Sequence, residues 1–238
     1  MFYTNDIKDG FAYLSEEESR HCTQVLRHTA GAPIQFVDGV GGFYEGLIQE
    51  SNKKRSVIAI QSQILGYQQR PYHIHIAIAP TKNIDRLEWF LEKATEMGVD
   101  EITPLKCQRS ERTNIRLDRL NGVLVSAMKQ SLQAYLPKLN DLVDFKHFMK
   151  LTTVARVGEG IEQKFIAYCN DSENKPLQRN YERGNNVIIL IGPEGDFSEQ
   201  EIQLAFGNQF HGVSLGNTRL RTETAGLVAC NIIHFVNT

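Results

Sequence analysis

Five consecutive apolar, β-favouring residues, Val187 to Ile191, end at Gly192-Pro193. A strand with one wet face would alternate. An unbroken run fits a strand buried on both faces, as in a parallel sheet. Past the Gly-Pro turn, Gly195 lets backbone approach a ligand closely. Ser198, followed three residues later by Glu201, spells a capping box at the start of a helix. The same grammar then repeats. Val213 to Leu215 reads as a short strand, Gly216 ends it, and after a polar loop Thr222 is placed to cap a last helix. In that helix Leu227, Val228, Ile232 and Phe235 share a face. Two loops therefore leave the carboxyl ends of two strands, the place where α/β sheets bind ligands when the strands are neighbours.

Upstream, residues 1–68 read as a small β-rich unit with one helix. Ser15 and Glu18 form another capping box, the helix carries Val25 and Leu26, and Gly31 is its expected stop. Ile34 to Val37 and Phe43 to Ile48 are strand-like. Gly39, Gly41 and Gly46 superficially space like a phosphate loop, but no helix pattern follows, so a hairpin turn is expected. Lys53-Lys54-Arg55 is a basic turn before the strand Val57 to Ile60. Gly66 to Pro71 is the best boundary, which gives domains 1–68 and 72–238.

The second domain opens with the strand pattern HIHIAIA (73–79), placing His73 and His75 on one face. No Cys, Asp or Glu partner stands at ligand spacing, so no metal site is expected. Asn83 is a cap for a helix with the core stripe Leu87, Phe90, Leu91 and Ala94, stopped by Gly98; Trp89 beside the stripe is expected to pack. A strand at Ile102 to Cys107 leads through a charged stretch into a long helix reaching about Leu136. Arg109, Arg112, Arg116 and Arg119 recur at helix-like spacing near its start, as a solvated face or a phosphate rail. Phe165 to Cys169 is a further buried strand whose end, Cys169-Asn170, supplies a third candidate ligand loop. From 73 onward strand and helix alternate, which predicts an α/β domain with a mainly parallel sheet.

Composition narrows the partners. With 41% hydrophobic residues in 238, the chain can bury a sizeable core. Its net charge of −2 is not that of a generic nucleic-acid coat, so any such contact must come from local basic patches. Cys22, Cys107, Cys169 and Cys230 are far apart with no CxxC spacing, as expected of reduced, mostly buried thiols in a cytoplasmic protein. The first residues lack a signal-peptide core, and no apolar run approaches membrane-spanning length. Neither GxxxxGK[ST] nor a strand-following GxGxxG occurs, which weakens an ATPase or dinucleotide oxidoreductase reading.

The segments IGPEGDFSEQE and LGNTRLRTETA together resemble the two signature loops of SPOUT-class RNA methyltransferases, and most of all the RsmE family of ribosomal small-subunit RNA uridine-N3 methyltransferases. The likeness extends through KNIDRLEWFLEKATEMGVDEITPL (82–105), RSER (109–112) and HCTQVLRHTAG (21–31), so it covers most of the chain. It implies a PUA-like RNA-recognition domain followed by a SPOUT domain with a deep trefoil knot, a homodimer, and S-adenosylmethionine (SAM) held in the knotted loops.

Carried onto this chain, the resemblance implies a cofactor site of Cys169, Ile191, Gly192, Pro193, Glu194, Gly195, Leu215, Gly216, Leu220, Arg221, Thr222 and Thr224. Catalysis would rest on Arg221 or Arg219, stabilising the anion left when uridine N3 loses its proton. RNA contacts would come from Arg20, Arg27, Lys53, Lys54, Arg55, Arg109, Arg112 and Arg116. No general base stands out, and His211 reads as a surface histidine. Asp196 stands where the family usually has glycine; it survives there if the position needs positive φ, which Asp tolerates better than most residues. Arg219 stands where an aliphatic residue is common. The loops do not identify the acceptor atom, so a ribose 2′-O or other SPOUT methyltransferase and a non-catalytic RNA-binding protein on the same fold stay open.

Overall fold

The structure, a computed structural model, describes residues 1–153, 162–169 and 175–238. In chain order its elements are β1 (Phe2–Tyr3), β2 (Ile7–Lys8), β3 (Phe11–Tyr13), α1 (Glu16–Arg20), a π-helical turn (His21–Val25), β4 (Pro33–Val37), β5 (Phe43–Glu50) and β6 (Val57–Ile64). Then come β7 (Ile74–Ile78), α2 (Ile84–Glu96), β8 (Glu101–Lys106), α3 (Leu117–Gln130), β9 (Lys138–Leu139), β10 (Val143–Asp144) and α4 (Phe145–Thr153). The remaining elements are β11 (Glu162–Ala167), β12 (Lys175–Pro176), α5 (Leu177–Asn180), β13 (Asn186–Ile191), α6 (Glu199–Gly207), β14 (His211–Ser214) and α7 (Thr222–Asn237). The chain divides into two units, Met1–Gln69 with Val125–Leu136, and Arg70–Leu124 with Pro137–Thr238.

The first unit is a six-stranded, barrel-like sheet in the order β1-β4-β5-β6-β3-β2, antiparallel except for β1 against β4. Period-two alternation buries Tyr44, Gly46 and Ile48 of β5 and exposes Glu45 and Leu47. Phe2, Leu14, Ile34, Phe36, Ile48 and Ile58 form its core, with Phe36 stacked on its cross-strand partner Tyr44 at 4.9 Å. Between β4 and β5 the Asp38 carboxylate accepts from the backbone N–H of Val40 and of Gly42, each at 2.8 Å. The glycines there serve a hairpin, as expected.

The helix of this unit is shorter than expected. After α1 the chain makes its π-helical turn and leaves at Arg27, whose φ of 57° is left-handed. The stop is therefore Arg27, with His28 N–H donating to the Cys22 carbonyl at 3.0 Å, and Gly31 belongs to the turn into β4. Val25 and Leu26 are exposed and do not reach the core.

In the second unit every strand pairing is parallel. The order is β10-β8-β7-β13-β11-β14-β12, with β9 beside β8. The Val187–Ile191 run sits in β13 between β7 and β11, and all five residues are buried. Ile188 and Leu190 join Phe145, Phe148, Phe197 and Ile202 under α4 and α6. The opposite face is covered by α7, which packs on β7, β13 and α2. Both faces are dry, which is why the strand needs no polar alternation. The expected cap of α2 is present, Asn83 accepting from Asp85 N–H at 3.1 Å, and its stripe is buried, while Trp89 is exposed.

The strand expected at 73–79 is present as β7; it is buried throughout, and His75 lies 2.7 Å from the Thr103 hydroxyl. Two expectations are corrected here. The long helix α3 begins only at Leu117 and ends at Gln130, near Leu132 with its left-handed φ of 58°. Arg109 and Arg112 thus lie in a turn before it, closed by Ser110, whose hydroxyl accepts from Cys107 N–H at 3.0 Å. In α7 the inward residues are Gly226, Ala229, Cys230 and Ile233, so the stripe of Leu227, Val228, Ile232 and Phe235 is not the core face. Small residues win the inner face because α7 lies close to α2.

Candidate active site

Strands β13, β11 and β14 are neighbours, and Ala167 of β11 pairs with both Ile191 and Val213. Their carboxyl ends therefore release three loops side by side: Tyr168-Cys169, Gly192 to Phe197, and Leu215 to Arg221. The two signature strands, β13 and β14, are not direct neighbours: β11 lies between them, and its own loop joins theirs at the carboxyl edge where α/β sheets bind ligands. Asn170 lies outside the described residues.

The middle loop is built residue by residue. Pro193 is buried, and its carbonyl accepts from Asp196 N–H at 2.9 Å, closing a turn over Glu194 and Gly195. Asp196 has a φ of 63°, the left-handed conformation that aspartate tolerates and a β-branched residue would not. Its carboxylate accepts from Cys169 N–H at 2.9 Å and from Phe197 N–H at 2.8 Å. Next, α6 starts with the expected capping box between Ser198 and Glu201. Gly192 faces the Phe197 ring, which a Cβ would meet at 3.1 Å.

The third loop leaves β14 through Leu215 and Gly216. Gly216 has a φ of 140° and open space where a Cβ would stand. Leu220 is half-buried, and Arg219 and Arg221 are exposed. Thr222 is not the cap of α7 that the sequence suggested. Arg221 occupies that position without a side-chain bond, and Thr222 is the first helical residue, its hydroxyl donating to the Gly192 carbonyl at 3.0 Å. That bond ties the third loop to the second. Thr224 is half-buried one turn in.

The charged groups are partitioned unevenly. The Cys169 thiol lies beside Asp196 and Arg219; burial first and the Asp196 carboxylate second raise its pKa, against the pull of Arg219. Glu194 accepts from Lys82 N–H at 3.0 Å, and Glu223, almost fully buried, lies 3.8 Å from Arg86. One Glu223 oxygen is buried with no hydrogen-bond partner among the described residues. Neither carboxylate pairs with Arg221, whose guanidinium makes no ion pair among the described residues. His211 opens β14 at the end of that strand away from the loop.

The basic residues fall into three places. Arg20, Arg27, Lys53, Lys54 and Arg55 belong to the first unit; Arg20 pairs with Glu16, and Arg55 pairs with Asp6 at 2.9 Å while lying 4.3 Å over the Tyr13 ring. Arg116 is exposed just before α3. Arg109 and Arg112 donate to backbone carbonyls. Arg109 donates to Gly195 at 2.7 Å and Phe197 at 3.3 Å, and Arg112 to Thr81 at 3.0 Å and Lys82 at 2.7 Å. Sequence reading missed this use, and nothing in the local sequence signals it.

A parallel sheet with three clustered loops at its carboxyl edge, on a chain that also carries a small barrel-like sheet, defines a class. Residues 68–234 match the family model described as RNA methyltransferase domain, and residues 14–61 that described as RNA methyltransferase PUA domain. A probable rRNA-methyltransferase from Porphyromonas gingivalis is 38% identical, with a TM-score of 0.87 over 99% of this chain and 97% of that one. The ribosomal RNA small subunit methyltransferase E of Neisseria gonorrhoeae, solved bound to S-adenosyl methionine, is 26% identical, with a TM-score of 0.84 over the same 99% and 97%. The protein of that name from Bacillus subtilis is 23% identical, over 93% of this chain and 89% of its own length. The chain belongs to the RNA methyltransferases of this two-domain SPOUT class, and within them to the RsmE family.

Proposed function

We propose that this protein methylates N3 of a uridine in small-subunit ribosomal RNA, with SAM as methyl donor. The observation that carries the reading is the set of three adjoining loops at β11, β13 and β14, with an exposed, unbraced Arg221 at the start of α7. The residues fit the cofactor. Gly216 leaves open space, Leu215 and Leu220 offer half-buried apolar walls, and the backbone of Ile191 to Gly195 is already set in a tight turn. When bound, SAM supplies a methyl group already activated on a sulfonium sulfur.

The protein's own work is placement and electrostatics. Backbone groups of Gly192 to Gly195 and of Leu215-Gly216 hold the adenosine portion. Thr222 braces the two loops, and Thr224 offers a hydroxyl near the methionine end. As uridine N3 gives up its proton, charge spreads onto O2 and O4, and Arg221 stabilises it. Arg219, held beside the Cys169 thiol, is the secondary candidate. The RNA is gripped by the first unit, where Arg27, Lys53 and Lys54 are exposed. The protein works in the cytoplasm; among the described residues no helix is long and apolar enough to cross a membrane. A trefoil knot in the second unit goes with this family reading, and tracing an experimental electron-density map tests it.

Nucleoside mass spectrometry of 16S rRNA from cells lacking the protein tests the reading, with loss of 3-methyluridine as the expected result. Loss of a ribose methylation or of another base methylation would instead select another SPOUT activity. In ligand-free protein, SAM at a hundredfold over Kd is expected to add about 2.7 kcal/mol of stability. No thermal shift with SAM, together with unchanged rRNA, would leave only the non-catalytic RNA-binding reading.

The functional form is a homodimer built through the second unit. Phe235 of α7 is 77% exposed, and Leu227, Val228 and Ile232 on the same outer stripe are only partly covered. Light scattering at micromolar concentration is expected to give twice the 27.0 kDa chain mass. A monomer there refutes it.

A further inference from the structure

We propose that Arg109 and Asp196 are a positioning pair that sets the middle loop for the cofactor before it arrives. Three observations meet at one residue. Asp196 is the loop's left-handed position, with φ 63°. The two carbonyls that receive Arg109, those of Gly195 and Phe197, bracket it on either side. Its own carboxylate holds Cys169 N–H, at the end of the neighbouring strand β11. The guanidinium thus fixes the turn from one side, and the carboxylate fixes the adjoining loop from the other. A glycine at 196 would reach the same backbone conformation and leave Cys169 N–H without that acceptor.

The turn that carries Arg109 is itself anchored. Gln108 N–H donates to Glu201 at 2.7 Å, while the other Glu201 oxygen completes the capping box with Ser198. Arg112 grips the Thr81 and Lys82 carbonyls, and Lys82 N–H in turn holds Glu194. Both ends of the Glu194–Asp196 turn are therefore tied to the single segment 108–112. Both Arg109 bonds leave from Nη1, so one nitrogen clamps the two carbonyls on either side of Asp196. Charge-assisted bonds of this kind order a loop whose own backbone does not otherwise form a ladder.

This inference rests on the reading of the loops as a SAM site, and its test separates the two. Full-length Arg109→Ala, Arg109→Lys, Asp196→Gly and Asp196→Asn are compared with wild type. The readouts are amide hydrogen exchange without ligand, calorimetry with SAM, and binding to a small-subunit rRNA fragment. Exchange at Cys169 and Phe197 is expected to quicken about tenfold or more in Arg109→Ala and Asp196→Gly, with SAM affinity falling by a similar factor. RNA affinity should hold. Arg109→Lys and Asp196→Asn, which keep fold and part of the bonding, should lie between. The double variant Arg109→Ala/Asp196→Gly should be little worse than either single one, since both act on one turn. Unchanged exchange in both single variants overturns the pairing, as does lost RNA affinity with intact SAM affinity. If exchange responds as expected while wild type binds no SAM, the positioning pair stands and the SAM reading fails.

Discussion

Gly226→Val is expected to destabilise the second unit by about 3 kcal/mol, lowering its melting temperature by roughly 6–12 °C. A Cβ at this position would lie 2.6 Å from Phe90 Cε2 and 2.9 Å from Ile78 Cδ1. Both side chains are fully buried, Phe90 on α2 and Ile78 on the central strand β7, so neither has free volume to enter. Relief requires lifting α7 from α2, and that movement pulls Thr222 away from the Gly192 carbonyl. SAM affinity should therefore fall along with stability. Gly226→Ala is milder, because the added methyl recovers about 1 kcal/mol of helix propensity while meeting the same ring. Gly122→Ala on α3, where nothing lies within 4 Å, is the opposite control and should stabilise by about 0.5–1 kcal/mol. Thermal and urea unfolding of the three variants checks this. A Gly226→Val protein that melts like wild type would mean the α2–α7 seam is not closed as described.

That seam also shows where sequence reading stops. Periodicity in α7 revealed apolar residues at helical spacing, but the helix has two such faces. The bulkier one, ending in Phe235, looks like core to any hydropathy rule, yet Gly226, Ala229 and Cys230 are the residues that face inward. Only the partner helix decides this, since close approach favours small side chains. By contrast, β13 was legible because a strand dry on both faces has a signature no surface strand shares. The start of α6 was legible because its capping box is local in the chain. So was the tolerance for Asp196, a matter of one residue's φ.

Arg109 was misplaced for the reverse reason. Arginines three and four apart fit a helix face, but a Ser110 turn precedes α3, and the carbonyls they serve lie on strands and turns far along the sequence. Spacing cannot report a partner 86 residues away. The loops' chemistry was readable as a pattern, whereas their mutual bracing was not.

Arg221→Ala is expected to slow methyl transfer by about 10²–10³, equivalent to about 3–4 kcal/mol of transition-state stabilisation, with little change in SAM affinity. The loop does not lean on this side chain. The Arg221 carbonyl accepts from Ala225 N–H at 2.8 Å whatever the side chain, and Thr222 supplies the tie to Gly192. The nearby carboxylates are otherwise engaged, Glu223 with Arg86 and Glu194 with Lys82 N–H. Truncation therefore leaves the loop bracing in place and removes only an exposed positive charge. That charge counts once uridine N3 has lost its proton and its carbonyl oxygens carry the excess. Arg221→Lys should recover part of the loss, because one ammonium cannot reproduce a planar fork. Arg219→Ala should cost less in rate, since Arg219 is drawn toward the Cys169 thiol. Calorimetry and single-turnover methylation on the same variants separate binding from chemistry. If affinity and rate fall together by similar factors in Arg221→Ala, the arginine is a loop brace and its catalytic assignment fails.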